Sequence, residues 1–290
     1  MTDKAGQANI RGVDYTKLSL AYLEQALVFK PDLTQRTTAN RQFVWFQETA
    51  GPLTQTAPAS FNIAEGALPF VSQQSVTKNT TYVKMWKVDS PYITFEDLKD
   101  NQVNIWEMQV RNLSYALRND IDSYVWDIIS ESQSPSTINS VITNAAWDAA
   151  SGQDPIEDIE EAKMDILNNS GYDPETNGGT LYLNTYDYKS LVVWLISTKG
   201  SSWTEFSSSQ IKNGVIMRFR GLNVKKSVNV TTDYAMVAIP SAGASWYSFM
   251  PMQTAFIEEP LIGRKLRMAV EGAATLDRPK CFSLISNTQA

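Results

Sequence analysis

The chain has 290 residues, no histidine, a single cysteine and a formal net charge of −6. The missing imidazole excludes Ser-His-Asp and Cys-His catalysis and most catalytic zinc sites, and one cysteine excludes intrachain disulfides and Cys-rich zinc clusters. Hydrophobic residues at 43% are ample for a packed core, in one large domain or two small ones.

The N-terminus is polar without an apolar signal core, and no run approaches the roughly 18 apolar residues of a membrane span. A soluble protein made inside the cell is expected, with the sequons at Asn79, Asn112, Asn168 and Asn229 as chance matches. Residues 1–41 read as an arm. A helical pattern over 15–27 places Leu20, Leu23 and Leu27 at 3–4 spacing, Lys30-Pro31 stops it, and residues 34–40 are polar and extended.

Residues 42–47 are a strand candidate, and residues 82–88 are a second one. Between them lie about 30 residues rich in Thr, Ser, Gln, Pro and Ala, with a turn signal at Ala64-Glu65-Gly66-Ala67-Leu68-Pro69. A connection this long is uncommon inside a compact domain. It is either disordered or a projecting hairpin that packs on something else.

Thr94 with Glu96 and Asp97 resembles an N-cap followed by first-turn acids. Trp106, Val110, Leu113, Leu117, Ile121, Tyr124 and Ile128 then make one apolar stripe, with Glu107, Arg111, Arg118, Asp122 and Glu131 mostly off it. Neither Gly nor Pro interrupts residues 104–133, which predicts a helix on the order of 45 Å long. A coiled coil would need a sustained heptad with paired flanking charges. A single spine crossing a flattened domain fits better.

Ser134-Pro135-Ser136 ends this helix, and residues 136–153 are short and mixed. Residues 154–167 form a helix with Pro155 near its start and Gly171 at its close. A strand over 180–183 and a helix over 185–197 follow, and this order recurs only once, so a doubly wound sheet is not supported. Further strands are expected over 215–219, 222–227, 234–239, 266–270 and 280–285.

Little here is arranged for chemistry. The acidic run Asp154, Glu157, Asp158, Glu160, Glu161 and Asp165 spreads over more than one helix face, as a solvated surface does. It lacks the alternation and central Gly of a calcium loop, and no phosphate-binding glycine motif occurs. The eight Trp residues read as core and contact anchors, and Cys281 as a buried, inert thiol in an apolar strand. One covalent option is a Lys amine condensing with an Asn amide in a dry pocket, for which Lys78, at the hairpin tip beside Asn79, is the candidate.

The order of elements resembles the major capsid protein of tailed bacteriophages and related archaeal viruses, the Hong Kong 97-like fold. The similar strings are residues 82–87, Asp97-Leu98, residues 116–122 within the spine, residues 181–191, residues 221–227, and residues 264–285 with Asp277-Arg278-Pro279-Lys280-Cys281. The resemblance covers nearly the whole chain, and its order and spacing carry it. It implies an α+β fold divided into an N-terminal arm (1–41), an extended hairpin loop with flanking strands (42–93), a peripheral domain with the spine helix (94–150), an axial domain (151–250) and returning peripheral strands (251–290).

The resemblance also implies a shell subunit without catalytic residues, metal or cofactor. Its partners would be copies of itself in hexamers and pentamers, scaffolding, portal and decoration proteins, and packaged double-stranded DNA held without sequence preference. Its place would be the virion. A roughly 100-residue N-terminal scaffolding segment found in one branch is missing here, so scaffolding is expected from a separate protein or after removal. On this basis Arg36, Arg41, Glu65, Lys78, Lys84 and Lys87 are the candidates for contacts between subunits. The alternatives are an encapsulin-like nanocompartment shell, a carbohydrate- or receptor-binding tail component, and an enzyme using carboxylates alone.

The net charge is unevenly spread. Residues 210–290 hold ten Lys and Arg against five Asp and Glu, a balance of +5, which leaves −11 on the rest. One reading is solvated strand faces; the sharper one is complementary surfaces that meet between subunits.

Overall fold

The computed structural model describes residues 27–49, 76–96, 105–199 and 218–290. The predicted helix over 15–27 and the turn at Glu65 lie outside the described residues apart from Leu27. The described residues build two larger sheets and one separate hairpin. The first sheet joins β1 (Thr34–Thr37), β11 (Ser245–Glu259), β12 (Gly263–Thr275) and β4 (Lys84–Asp89), with β5 (Ile93–Thr94) also on β12. The second runs β6 (Asn139–Ile142), β13 (Phe282–Ser286), β10 (Tyr234–Ala238), β7 (Thr180–Leu183), β9 (Leu222–Lys226) and β8 (Arg218–Phe219). The hairpin pairs β2 (Gln42–Glu48) with β3 (Val76–Tyr82).

Helix α1 (Ile105–Ile129) lies on the first sheet against β4 and β12, burying Val110, Leu113, Leu117 and Ile121. The apolar stripe thus folds as its spacing predicts. In its last turns the buried face widens to Val125, Trp126 and Ile129, and Asp122 is buried as well. Its described part spans 25 residues, about 38 Å, and ends at Ile129, four residues before the unbroken run does. The Ser130 hydroxyl donates back to the Trp126 carbonyl at 2.7 Å. Glu131, Ser132 and Gln133 then take left-handed backbone angles. The Glu131 carboxylate holds this turn by accepting from the Ser136 and Thr137 amides at 2.5 and 2.9 Å.

Helix α2 (Pro155–Ser170) covers β6, β10 and β13 of the second sheet. The Asp154 side chain caps it by accepting from Ile156 and Glu157 amides, and Gly171 ends it at φ 75°. Helix α3 (Thr185–Trp194) starts from an Asn184 cap and runs into a π turn over Leu195–Lys199. A short helix α4 (Pro240–Gly243) links β10 to β11.

Four departures from the sequence reading have physical causes. The run over 82–88 is two strands, because Tyr82 pairs with β2 whereas Lys84 pairs with β12, and the Val83 amide donates to the Arg41 carbonyl at the corner. Strand β11 escapes the alternation test because two register shifts around Met250 interrupt it. Residues 251–290 do not stay in one sheet: β12 is in the first, β13 in the second. Cys281 sits in a 3-10 turn over Pro279–Cys281 just ahead of β13, buried, and burial pushes its thiol up to about 11. Among the described residues no helix is long and apolar enough to cross a membrane.

Candidate inter-subunit surface

The hairpin β2–β3 begins where the first sheet ends its hold on the chain. Its inner face rests on the body through the Phe43 ring, 4.4 Å from that of Tyr247, and within the ribbon the Trp45 indole N–H donates to the Thr81 hydroxyl at 2.8 Å. Its base is pinned by the Glu48 amide donating to the Asp277 carbonyl at 2.9 Å and by an ion pair between Arg278 and Glu48 at 2.8 Å.

Among the described residues, nothing covers the apolar side chains of the outer face. Val44 faces Thr80 and Phe46 faces Lys78 across the register, so these side chains share one face. Phe46 is 62% exposed and Tyr82 66%, with Val44 and Val76 also exposed. A groove of about 550 Å³ opens beside this face, lined by Val44, Phe46, Val76, Arg36, Tyr247 and Arg278 among others. A signal for this surface stood in the sequence: Phe43-Val44-Trp45-Phe46 is apolar on both strand parities, yet a two-stranded ribbon can lay only one face on its own body.

The six candidate contact residues fare differently. Arg36 is exposed on β1, its guanidinium donating to the Tyr247 hydroxyl at 3.2 Å. Arg41 reaches the buried carboxylate of Glu271 at 3.4 Å. Lys84 stands over the Tyr124 ring at 4.2 Å. Those three are engaged within the chain. Lys78 and Lys87 are exposed on β3 and β4. Glu65 lies outside the described residues. Lys78 is not at the hairpin tip: it sits in mid-strand opposite Phe46, and its neighbour Asn79 donates its side-chain amide to Gln47 at 3.2 Å.

The charge split is satisfied largely inside the subunit. Cations of the +5 portion pair with anions of the −11 portion: Lys225 with Asp32 at 2.6 Å, Arg220 with Glu160 at 2.6 Å, Lys265 with Asp89 at 3.0 Å, and Arg278 with Glu48. Arg267 also forks onto Asp89 through two bonds of 2.6 Å, and Arg267 ahead of Lys265 holds the Asp89 carboxyl well below its usual range. The two portions are thus joined by ion pairs within one fold, where the sequence reading placed such pairing between subunits. The acidic run behaves likewise. Asp154 caps α2, Asp158 accepts from the Trp147 indole at 2.8 Å, and Glu160 accepts from Lys163 and Arg220. Burial works to raise the Glu160 carboxyl, but those two cations outweigh it and hold it low.

No family model matches the chain, and no curated protein matches it. Solved structures do. The virus-like particle from Pyrococcus furiosus aligns at a TM-score of 0.64 and 12% identity, over 94% of this chain and 98% of that chain. The capsid of cyanophage P-SCSP1u aligns at 0.67 and 13% identity, over 90% and 88%. The capsid of a native GTA particle aligns at 0.63 and 11% identity, over 93% and 90%. The chain therefore has the fold of viral capsid subunits, the Hong Kong 97-like fold.

Proposed function

We propose that this chain is a major capsid protein, a structural subunit without turnover that assembles into hexamers and pentamers of an icosahedral head around double-stranded DNA. The observation that carries this reading is the two-sided apolar hairpin on a chain whose fold follows capsid subunits along nearly its whole length. An isolated two-stranded ribbon is marginal in water. Covering the outer face of β2–β3 with a second copy stabilises both, at about 25 cal/mol per Å² of apolar surface removed from water. Repeating that contact around a closed shell multiplies a modest interface into a large total.

In this reading the first sheet with α1 is the peripheral part, and the second sheet with α2 is the axial part. Scaffolding, portal and decoration proteins are the fitting partners, and the virion is the place of the protein. Negative-stain microscopy of the purified chain tests it. Closed shells or capsomer rings are expected, and a monodisperse monomer at high concentration overturns it.

A shell that encloses protein cargo is the second reading, since the same fold serves a virus-like particle from Pyrococcus furiosus as well as phage capsids. Nuclease-protected double-stranded DNA inside purified particles supports the head; a co-purifying enzyme without DNA supports the compartment.

A further inference from the structure

Residues 27–33 run through a slot between α1 and the second sheet. Phe29 is fully buried there, its ring 5.6 Å from that of Trp126 on α1 and 5.0 Å from that of Tyr182 on β7. Leu27 and Leu33 are buried on either side. Asp32 fastens the far end, accepting from the Tyr182 hydroxyl and from Lys225, each at 2.6 Å. The near end is held by a group that the apolar stripe of α1 gave no reason to expect inside. Asp122 has no exposed surface, and its Oδ2 accepts from the Val28 amide at 3.0 Å. Its Oδ1 lies 3.3 Å from that amide and 3.5 Å from the amide of Phe29.

Two backbone amides are a thin reception for a buried charge. Among the described residues, the charged and titratable groups around Asp122 can be named. Arg118 lies one turn back on α1 and Lys30 lies on the docked segment, and both favour the anion. Tyr182 faces it from β7, with Asp32 and Lys225 beyond that hydroxyl.

We propose that Asp122 is a proton-dependent latch: its protonated carboxyl keeps residues 27–29 seated on α1, and loss of the proton loosens them, so that docking of the chain ahead of β1 follows pH in a protein without histidine. Burial is the dominant influence and lifts the carboxyl from 3.8 to about 6, against the pull of the Val28 and Phe29 amides and of Arg118 and Lys30. The neutral acid still accepts from Val28 through its carbonyl oxygen. The anion must be rehydrated, and the way for water to reach it is for the segment to lift. The sign follows from linkage. The seated state binds the proton more tightly than the lifted one, so lifting becomes easier as pH rises from about 4 to about 6, and is level above.

Hydrogen exchange at the amides of residues 27–33, corrected for intrinsic rates and followed from pH 4.5 to 7.5, tests this on the full chain. The lifting equilibrium is expected to grow about tenfold or more across that range. In Asp122→Asn, which keeps an acceptor oxygen but cannot ionise, it should stay flat. The amides of β10 report any global change. A flat profile in the unaltered chain, or an equal rise in Asp122→Asn, overturns the latch. Should the variant fail to fold, carboxyl-carbon NMR of the unaltered chain decides: titration of Asp122 near 6 supports the latch, and titration near 4 sinks it. None of these readouts requires a shell, so the latch and the capsid reading stand or fall separately.

Discussion

The Arg278 guanidinium lies 2.8 Å from the Glu48 carboxylate and also donates to the Tyr172 hydroxyl at 2.7 Å. One side chain thus ties the outgoing strand of the hairpin to the turn after α2. Glu48 keeps only 14% of its side chain exposed, so removing the cation leaves a mostly buried carboxylate unpaired. Arg278→Ala should cost about 1–2 kcal/mol and speed proteolysis within the hairpin. Arg278→Lys should recover only part, because one ammonium cannot serve both Glu48 and Tyr172 as a planar fork does. An unchanged urea midpoint in Arg278→Ala would mean the pair does not hold the hairpin.

Gly272 marks the closest packing in the first sheet. A Cβ there would come within 2.3 Å of the Trp246 ring and 3.0 Å of the Tyr247 carbonyl. The Trp246 ring cannot step aside: it is fully buried, Trp86 stacks on it at 5.9 Å and Lys30 stands over it at 4.8 Å. Gly272→Ala should destabilise by about 1–3 kcal/mol through overpacking. Differential scanning calorimetry measures this, and a melting temperature equal to that of the unaltered chain would show that the sheet relaxes freely. Adding Trp246→Phe should return part of the loss, since the smaller ring frees the space that the methyl needs.

How far the sequence could be read depended on whether one partner or two shaped a segment. Helix α1 and helix α2 each lay one stripe on one sheet, so spacing and caps located them. Asp122 failed that reading because the last turns of α1 are covered twice, by the first sheet and by residues 27–33. A charged residue off the main stripe is then still inside. Within the stretch read as an arm, residues 27–37 are covered in the same way: Phe29 fills the core and β1 pairs with β11, 211 residues away in register at Thr34 and Ser245. Of the candidate contact surface, the hairpin as such was legible. Its exposed face was not, because charged side chains drew attention and Val44 and Phe46 look like core until the ribbon is seen to have no second layer among the described residues.

Acid should stabilise the middle of this protein's pH range. Asp187 is buried at the start of α3, accepting from the Gln289 side-chain amide at 2.5 Å. Burial pushes its carboxyl from 3.8 up to about 6; Gln289 and Thr288 pull it down, and Asp233 and Asp148 push it further up. Asp122 is raised to a similar value, and burial raises Asp158 and Asp165 too. A carboxyl raised in the fold binds its proton better folded than unfolded. Its contribution is therefore fullest at low pH, declines between about 4 and 6 and is absent above. The carboxylates held low, Asp89, Glu131 and Glu160, act in the opposite sense but only below their ordinary values near 4. Urea midpoints should therefore be higher at pH 5 than at pH 7, and Asp187→Asn with Asp122→Asn should flatten that difference. Midpoints that climb from pH 5 to pH 7 would contradict this ordering.

The outer face of the hairpin gives the sharpest separation between folding and assembly. Val44 and Phe46 are 48% and 62% exposed, so about half or more of each remains open to a partner. Replacing both with Ser keeps the strand register, which the inner residues Phe43 and Trp45 fix through Tyr247 and Thr81. The isolated chain should then lose no more than about 0.5–1 kcal/mol, as exposed positions do. Assembly should suffer far more, because the same two side chains recur at every copy of the contact, and a loss of about 1 kcal/mol per contact compounds around a ring. Sedimentation velocity across a concentration series reads the outcome. Particles or rings should give way to monomer in Val44→Ser/Phe46→Ser, while the urea midpoint of the subunit stays close to that of the unaltered chain. Particles that form equally well at equal concentration would place the contact on another surface. A large fall in the midpoint would mean that Val44 and Phe46 serve the fold of the subunit itself.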